Sequence, residues 1–208
     1  MLCSLCNAGT RKFEIFQKRE FLQCTNCKAI LLHFKNYLSP ETEKARYKLH
    51  ENDVEDEGYI RFVQPLVERI IQDFPNTSRG LDFGCGTGPV ATTELKKQGF
   101  EISLYDPYFM PDPQVLKSKY DFIFCSEVME HFHKPASEFA LLKSLLKDQG
   151  KIYCKTSLWN ENIDFETWYY KNDPTHVIFY HSESLHWIKE KFRFRKLEIL
   201  PNLIVFEN

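Results

Sequence analysis

Residues 79–89 read Arg-Gly-Leu-Asp-Phe-Gly-Cys-Gly-Thr-Gly-Pro, an apolar stretch that runs into Asp82 and then into glycines at 84, 86 and 88. Glycine at alternate positions lets a chain turn sharply out of a strand and lie flat against a ligand. The residues from Pro89 to Gln98 can then open a helix whose N-terminus faces that ligand. A dinucleotide site spaces its glycines as GxGxxG, whereas here the spacing is DxGxGxG. The next apolar stretch, Glu101 to Tyr105, ends at Asp106, a carboxylate placed to accept hydrogen bonds from a ribose diol. Cys3, Cys6, Cys24 and Cys27 offer a second chemistry. They form two CxxC pairs with seventeen residues between them, a spacing at which two tight knuckles can bring four thiolates to one tetrahedral zinc ion. The alternative, a redox dithiol, wants a helix N-terminus to lower a thiol pKa, and neither pair opens a helix.

A third candidate site lies in Cys125-Ser126-Glu127-Val128-Met129-Glu130-His131. If residues 127 to 131 form one helical turn, Glu127, Glu130 and His131 fall at i, i+3 and i+4 on one face, close enough to hold a single hard cation. His176, in Asp173-Pro174-Thr175-His176, is the candidate to complete the set. A divalent ion that binds both oxygens of a diol or catechol lowers the hydroxyl pKa and fixes the oxygen for reaction. The plainer alternative is a metal-free turn in which Glu127 or His131 hydrogen-bonds locally. His133, His181 and His186 have no comparable context and read as surface or core histidines. Trp159, Trp168, Tyr169 and Tyr170 read as a lid or pocket wall, and Cys85, Cys125 and Cys154 as small residues in or beside strands.

The elements that must position these groups follow from periodicity and punctuation. A hairpin from Phe13 and Ile15 to the Glu20–Gln23 stretch lies between the cysteine pairs, too small to be stable without a metal. Ser39 can cap a helix from Pro40 to about His50. An amphipathic segment over 59–74 places Ile60, Val63, Val67, Ile70 and Ile71 on one stripe, with Pro65 inside it. Strands at 80–84, 101–105, 120–125 and 150–156 alternate with helices at 90–98, 135–147 and 182–191, which predicts a parallel sheet ending in a pair near 194–200 and 203–207. The chain divides into a cysteine ribbon over 1–37, a helical and acidic linker over 38–57, and a main domain over 58–208. At 208 residues and net charge −2, bulk electrostatics argue neither for nor against nucleic acid. No apolar run approaches the roughly 18 residues of a membrane span, and Met-Leu-Cys-Ser-Leu-Cys lacks the layout of a signal peptide; a soluble, cytoplasmic protein is expected.

The DxGxGxG segment followed by Asp106 resembles motif I and the acidic motif II of class I S-adenosylmethionine (SAM) dependent methyltransferases. The resemblance implies a Rossmann-like α/β sheet with helices on both faces. It also implies a cofactor site at Asp82, Gly84, Cys85, Gly86, Asp106, Pro107, Cys125 and Ser126. One departure is visible: fourteen residues lie between Asp106 and Asp121, including Pro107, Pro111 and Pro113, too few for the usual helix, third strand and second helix. The third strand is expected to be lost or vestigial, and with it the family's usual adenine contact. ExxEH at residues 127–131 resembles the metal-binding motif of the ubiquinone-pathway catechol O-methyltransferases and of the small-RNA 3′-terminal 2′-O-methyltransferases. That implies a metal set of Glu127, Glu130, His131 and His176, with catalytic roles for His131, His176 and Glu127.

The whole chain resembles a bacterial group of SAM-dependent methyltransferases with an N-terminal cysteine ribbon. The match is carried by the two CxxC pairs, residues 46–53 (Arg-Tyr-Lys-Leu-His-Glu-Asn-Asp), Leu81 to Pro89, and Asp173 to Tyr180. It implies SAM-dependent methyl transfer without fixing the substrate; the expected acceptor is an oxygen of a small molecule or metabolite precursor. The layout is also similar to that of rRNA guanine methyltransferases, which place a zinc module ahead of the catalytic domain, so an RNA substrate docked by the ribbon is the alternative. A non-catalytic SAM-binding protein is the third possibility, given the abbreviated adenine side.

Overall fold

The computed structural model describes residues 1–49 and 53–208. The helix expected to reach about His50 ends at Tyr47, with Lys48 as its C-cap, and the His50-Glu51-Asn52 part of the family-like segment lies outside the described residues. The described residues form two sheets. In the first, β1 (Thr10–Phe16) and β2 (Arg19–Cys24) form the expected hairpin, closed by Gln17 and Lys18 in left-handed conformations with φ of 49° and 64°. Positive φ at both central residues matches the right-handed strand twist of a two-residue turn. The other two strands of this sheet were not foreseen from sequence. β3 (Ile30–Leu32), a wholly buried apolar run, pairs with β2 on one side. On its other side it pairs with β8 (Ile178–Phe179), from the far end of the chain. The sheet order is β1-β2-β3-β8.

The second sheet has the order β5-β4-β6-β7-β10-β9. Here β4 is Arg79–Phe83, β5 Glu101–Tyr105, β6 Tyr120–Ser126, β7 Leu146–Lys155, β9 Lys196–Leu200 and β10 Leu203–Glu207. β5, β4, β6 and β7 are parallel, and β10 runs antiparallel to both of its neighbours. The sheet starts at β5. Among the described residues only a 3-10 turn at Val115–Lys117 stands between β5 and β6, so the expected loss of the third strand is observed.

α2 (Glu57–Asp73) and α3 (Val90–Lys97) cover one face of this sheet, and α4 (Pro135–Leu145) and α5 (Ser182–Phe192) the other. α2 starts where the Asp56 carboxylate accepts the Tyr59 N–H at 2.9 Å, and it runs on through Pro65. Its buried stripe is Val63, Leu66, Val67 and Ile70, a strict i, i+3, i+4, i+7 set. Ile71, assigned to that stripe from sequence, is instead 40% exposed, because it falls on the shoulder of the helix. No helix among the described residues is long and apolar enough to cross a membrane.

The chain passes from β4 to β5 on one side and then to β6 on the other, so the sheet switches direction beside the carboxyl ends of β4 and β6. That is where an open α/β sheet leaves a crevice. α1 (Pro40–Tyr47), capped by Ser39 with Pro40 in its first turn, lies over this crevice.

Candidate active site

The crevice is a cleft of about 940 Å³ lined by the loop after β4, the Asp106 loop, the turn after β6 and α1. Its two key glycines are needed for different reasons. Gly84 has φ of +86°, and a Cβ there would sit 2.6 Å from the Val128 side chain, so its constraint comes from the protein. Gly86 has φ of +60°, and a Cβ there would meet nothing within 4 Å; it borders open cleft. Asp106 ties the loops together. One carboxylate oxygen accepts the Gly86 N–H at 3.1 Å, and the other accepts the N–H groups of Tyr108 and Phe109 at 2.8 and 3.0 Å. Asp82 is buried and accepts the Thr92 hydroxyl at 2.7 Å. Burial, aided by the nearby Asp106 charge, pushes its pKa up to about 7. Burial likewise pushes the Cys85 thiol up to about 12, so it stays protonated.

Of the expected cofactor residues, Asp82, Gly84, Cys85, Gly86, Asp106, Pro107 and Ser126 line the cleft. Cys125 does not. Alternation along β6 turns it to the opposite side from Phe124, into the core shared with Cys154, its cross-strand neighbour, and it is fully buried. Ser126 Oγ is buried without a hydrogen-bond partner among the described residues, a polar atom that a ligand in the cleft would satisfy.

The turn after β6 departs from the expected single helical turn. Glu127 is left-handed, with φ of 53°, and only Met129–His131 form a 3-10 turn. The close cluster is therefore Glu130, His131 and His176, whose ligand atoms lie within 4.8 Å of one another. Glu127 joins it through Tyr170, whose hydroxyl lies 3.1 Å from Glu127 Oε2, 2.5 Å from Glu130 Oε1 and 3.0 Å from the Thr156 hydroxyl. Both histidines are oriented by main-chain carbonyls: His131 Nδ1–H donates to Thr175 O at 3.0 Å, and His176 Nδ1–H to Tyr170 O at 2.7 Å. Each tautomer so fixed puts the lone pair on Nε2, the arrangement found where imidazole is a metal ligand. Glu130 Oε2 is fully buried with no hydrogen-bond partner among the described residues. Burial pushes Glu130 up to about 7, and burial plus the Glu130 charge pushes Glu127 up to about 8. Burial holds His131 below the ordinary histidine value. One buried carboxylate and two imidazoles converging in this way, with Glu127 behind Tyr170, fit a divalent cation, because its charge would offset the cost of burying the Glu130 carboxylate.

Several groups in the cleft were not found from sequence. Glu43, the buried side chain of α1, accepts from Tyr108 Oη at 3.0 Å and bonds His133 Nε2 at 2.8 Å. His133 therefore belongs to the cleft rather than to the plain surface or core. Tyr47 lies edge-on to His131 with ring centroids 5.2 Å apart, and Arg46 pairs with Asp173 at 3.0 Å. Burial opposes ionisation of Asp173, but hydrogen bonds from the Thr175 hydroxyl and N–H and from Arg46 hold it well below the carboxylate range. The available signal was that α1 has no apolar stripe, so its inward face had to be polar. Tyr169 and Tyr170 do line the cleft. Trp159 packs elsewhere, edge-on to Phe13 of β1 at 5.5 Å.

Cys3, Cys6, Cys24 and Cys27 also converge. Cys3 and Cys27 sulfurs are 3.7 Å apart, those of Cys6 and Cys24 3.3 Å apart, and all four lie within 4.8 Å of one another. Ligands of one tetrahedral ion with bonds of about 2.3 Å stand about 3.8 Å apart. The N–H groups of Asn26 and Cys27 each approach Cys24 Sγ at 3.4 Å. Asn7 and Lys28, each directly after a CxxC pair, close both knuckles in the left-handed conformation.

Comparison with known proteins agrees with this geometry. No curated protein matches the sequence. Among solved structures, the chain resembles the Burkholderia thailandensis 1,6-didemethyltoxoflavin-N1-methyltransferase with bound 1,6-didemethyltoxoflavin and S-adenosylhomocysteine (SAH), at 12% identity and TM-score 0.58, over 95% of this chain and 99% of that one. A SAM dependent methyltransferase from Archaeoglobus fulgidus matches at 22% identity and TM-score 0.53, over 72% and 94%. An O-methyltransferase family protein from Burkholderia thailandensis matches at 12% and 0.53, over 79% and 61%. Some relatives are longer: the chain spans 56% of one and 61% of another. At these identities the likeness speaks for the fold. Residues 55–199 match the family model described as a methyltransferase domain, and the chain belongs to that family, with the class I, SAM-dependent type of sheet.

Proposed function

We propose that the chain transfers the methyl group of SAM to an oxygen of a small molecule, with a divalent cation held by Glu130, His131 and His176 and with Glu127 linked to the set through Tyr170. The observation that carries this reading is the buried Glu130 carboxylate, one oxygen of which has no partner, standing among two imidazoles whose Nδ1–H groups are held on carbonyls. SAM supplies a methyl group on a sulfonium leaving group. A hard or borderline cation at the cluster, such as magnesium, manganese or zinc, lowers the pKa of an acceptor hydroxyl and favours a vicinal diol or catechol.

The rest is positioning. Gly86 leaves room for the methionine part of the donor, Asp106 stands where the ribose diol would lie, and Ser126 Oγ provides an unused polar contact. Tyr170 keeps the Glu127 and Glu130 carboxylates together. α1, tied down by Glu43 and Arg46, roofs the cleft and limits water. In this reading residues 1–37 are a zinc ribbon held by Cys3, Cys6, Cys24 and Cys27, 38–57 the linker that carries α1, and 58–208 the methyltransferase domain.

The ribbon's basic residues support a small acceptor over RNA. Lys28 pairs with Glu161 and Lys35 with Glu20, while Arg11 donates to Gln23 and Arg19 to the Asp173 carbonyl. Four of the six Lys and Arg side chains of residues 1–37 are engaged within the protein in this way, which weakens a phosphate-binding face. The similar N1-methyltransferase, bound to 1,6-didemethyltoxoflavin, fits the same scale of acceptor.

Manganese titration followed by electron paramagnetic resonance, in the presence of SAH, tests the proposal. One ion should bind per chain in addition to the ribbon's metal, and Glu130→Gln and His176→Asn should each lose it while SAH affinity stays within a few fold. If the native protein binds no manganese, magnesium or zinc beyond the ribbon's ion, the cleft is metal-free and this reading fails.

A further inference from the structure

Three hydrogen bonds from one segment, residues 175–180, hold the turn that carries Glu130 and His131, alongside the Glu127 N–H on the Lys155 carbonyl at 2.8 Å and the Tyr170 hydroxyl on Glu130. Val177 N–H donates to the Glu130 carbonyl at 2.9 Å, Tyr180 Oη donates to the Met129 carbonyl at 2.9 Å, and the Thr175 carbonyl accepts His131 Nδ1–H at 3.0 Å. The same segment contains His176 and β8. β8 in turn is an edge strand of the ribbon sheet, with β3 as its strand partner, in the register Ile30 to Phe179 and Leu31 to Ile178. Leu32 N–H extends that ladder to the Val177 carbonyl at 2.9 Å. The second cysteine knuckle is fastened to the body as well: the buried Ser184 hydroxyl donates to the Cys27 carbonyl at 2.7 Å. An unbroken main-chain path therefore runs from the Cys24–Cys27 knuckle through β3 and Val177 to Glu130.

The cofactor end has no such dependence. Gly84, Gly86 and Asp106 are fixed by β4 and β5, with the Gly84 and Cys85 N–H groups on the Tyr105 carbonyl at 2.8 and 3.2 Å and the Gly86 N–H on Asp106 at 3.1 Å, and α2 and α3 pack beneath them. We infer that the metal-held ribbon is a positioning scaffold for the acceptor end of the cleft: it sets where Glu130, His131 and His176 stand, while the cofactor end holds its shape without it. A ribbon of this size gains its fold from its ion, so emptying the four-thiolate site loosens β3, then β8, and then the Glu130–His131 turn. The inference takes this cluster as the acceptor end, as proposed above. It does not require a cation in the cluster.

The test reads the imidazoles themselves. Nitrogen-15 and proton NMR of the native protein should show protected Nδ1–H resonances for His131 and His176. Removing the ribbon metal with a chelator should erase both, while calorimetric SAH affinity stays within about threefold. Adding cadmium, a diamagnetic and thiolate-preferring ion, should restore both resonances in step with the thiolate-to-cadmium absorption that reports ribbon occupancy. Because this cycle uses the native chain, it stands even where Cys27→Ser fails to fold. Persistence of both resonances in the metal-free protein would overturn the inference, as an RNA-docking ribbon would require. Loss of SAH binding together with the resonances would overturn it too, by showing that the ribbon supports the whole chain rather than one end. A native protein that binds no second cation would sink the proposed chemistry and leave this result untouched.

Discussion

Glu43 and His133 stand ninety residues apart in sequence and meet across the cleft at 2.8 Å, carboxylate oxygen to imidazole Nε2. The same carboxylate accepts the Tyr108 hydroxyl, so one buried group on α1 joins the loop after β5 to the loop after β6. α1 spans only Pro40–Tyr47 and has no other buried side chain. Helices this short are not stable alone, and polar contacts rather than an apolar stripe seat this one. Glu43→Ala should therefore weaken SAH binding by about 1–2 kcal/mol with little change in the melting temperature of the ligand-free protein. Calorimetry and thermal melts run in parallel check this, and an unchanged SAH affinity would remove α1 from the cofactor site.

The two cleft glycines should respond differently to the same substitution. Gly84→Ala places a methyl group against Val128 at positive φ and should cost roughly 2–4 kcal/mol of stability. Gly86→Ala carries the backbone cost, about 1 kcal/mol, but puts its methyl group into open cleft. It should lower SAH affinity by roughly tenfold or more. Urea unfolding and calorimetry on both variants separate the effects; equal stability losses with intact SAH affinity would contradict the assignment.

Asp82 makes stability depend on pH. Its folded pKa of about 7 lies above the ordinary 3.8, so its favourable contribution is complete below about pH 4 and is lost as pH rises through 7. Asp82→Asn keeps an acceptor for Thr92 and removes the titration. Relative to the native chain, the ligand-free variant should gain stability between pH 5 and pH 8, by an amount on the order of 2 kcal/mol. Parallel melting curves across that range would mean that Asp82 ionises normally.

Elemental analysis of protein prepared without added metal should find about one zinc per chain. Cys24→Ser should lose it, because Cys24 Sγ both faces Cys6 and receives the N–H groups of its own knuckle. Metal-free native protein with two reactive dithiols would support the redox alternative.

The features legible in the sequence are those that local rules govern. The DxGxGxG turn, the CxxC knuckles, the strand–helix alternation and the missing third strand each follow from conformational freedom, ligand spacing or chain length within some twenty residues, and each is present. Pairings between distant segments arise only in the folded chain: β3 with β8, Glu43 with His133, and Tyr170 with Glu127 and Glu130. The placement of Cys125 in the core and the left-handed Glu127 that broke the expected helical turn belong to the same class. Ile30-Leu31-Leu32 carries an apolar pattern that any buried strand would show, and nothing in it names Ile178 and Phe179 as partners. A glutamate on a short polar helix likewise reads as solvated until two other loops close over it. Local sequence limits which conformations a segment can adopt, whereas the choice of partner depends on which packing of the whole chain buries the most apolar surface while leaving the fewest polar groups unpaired.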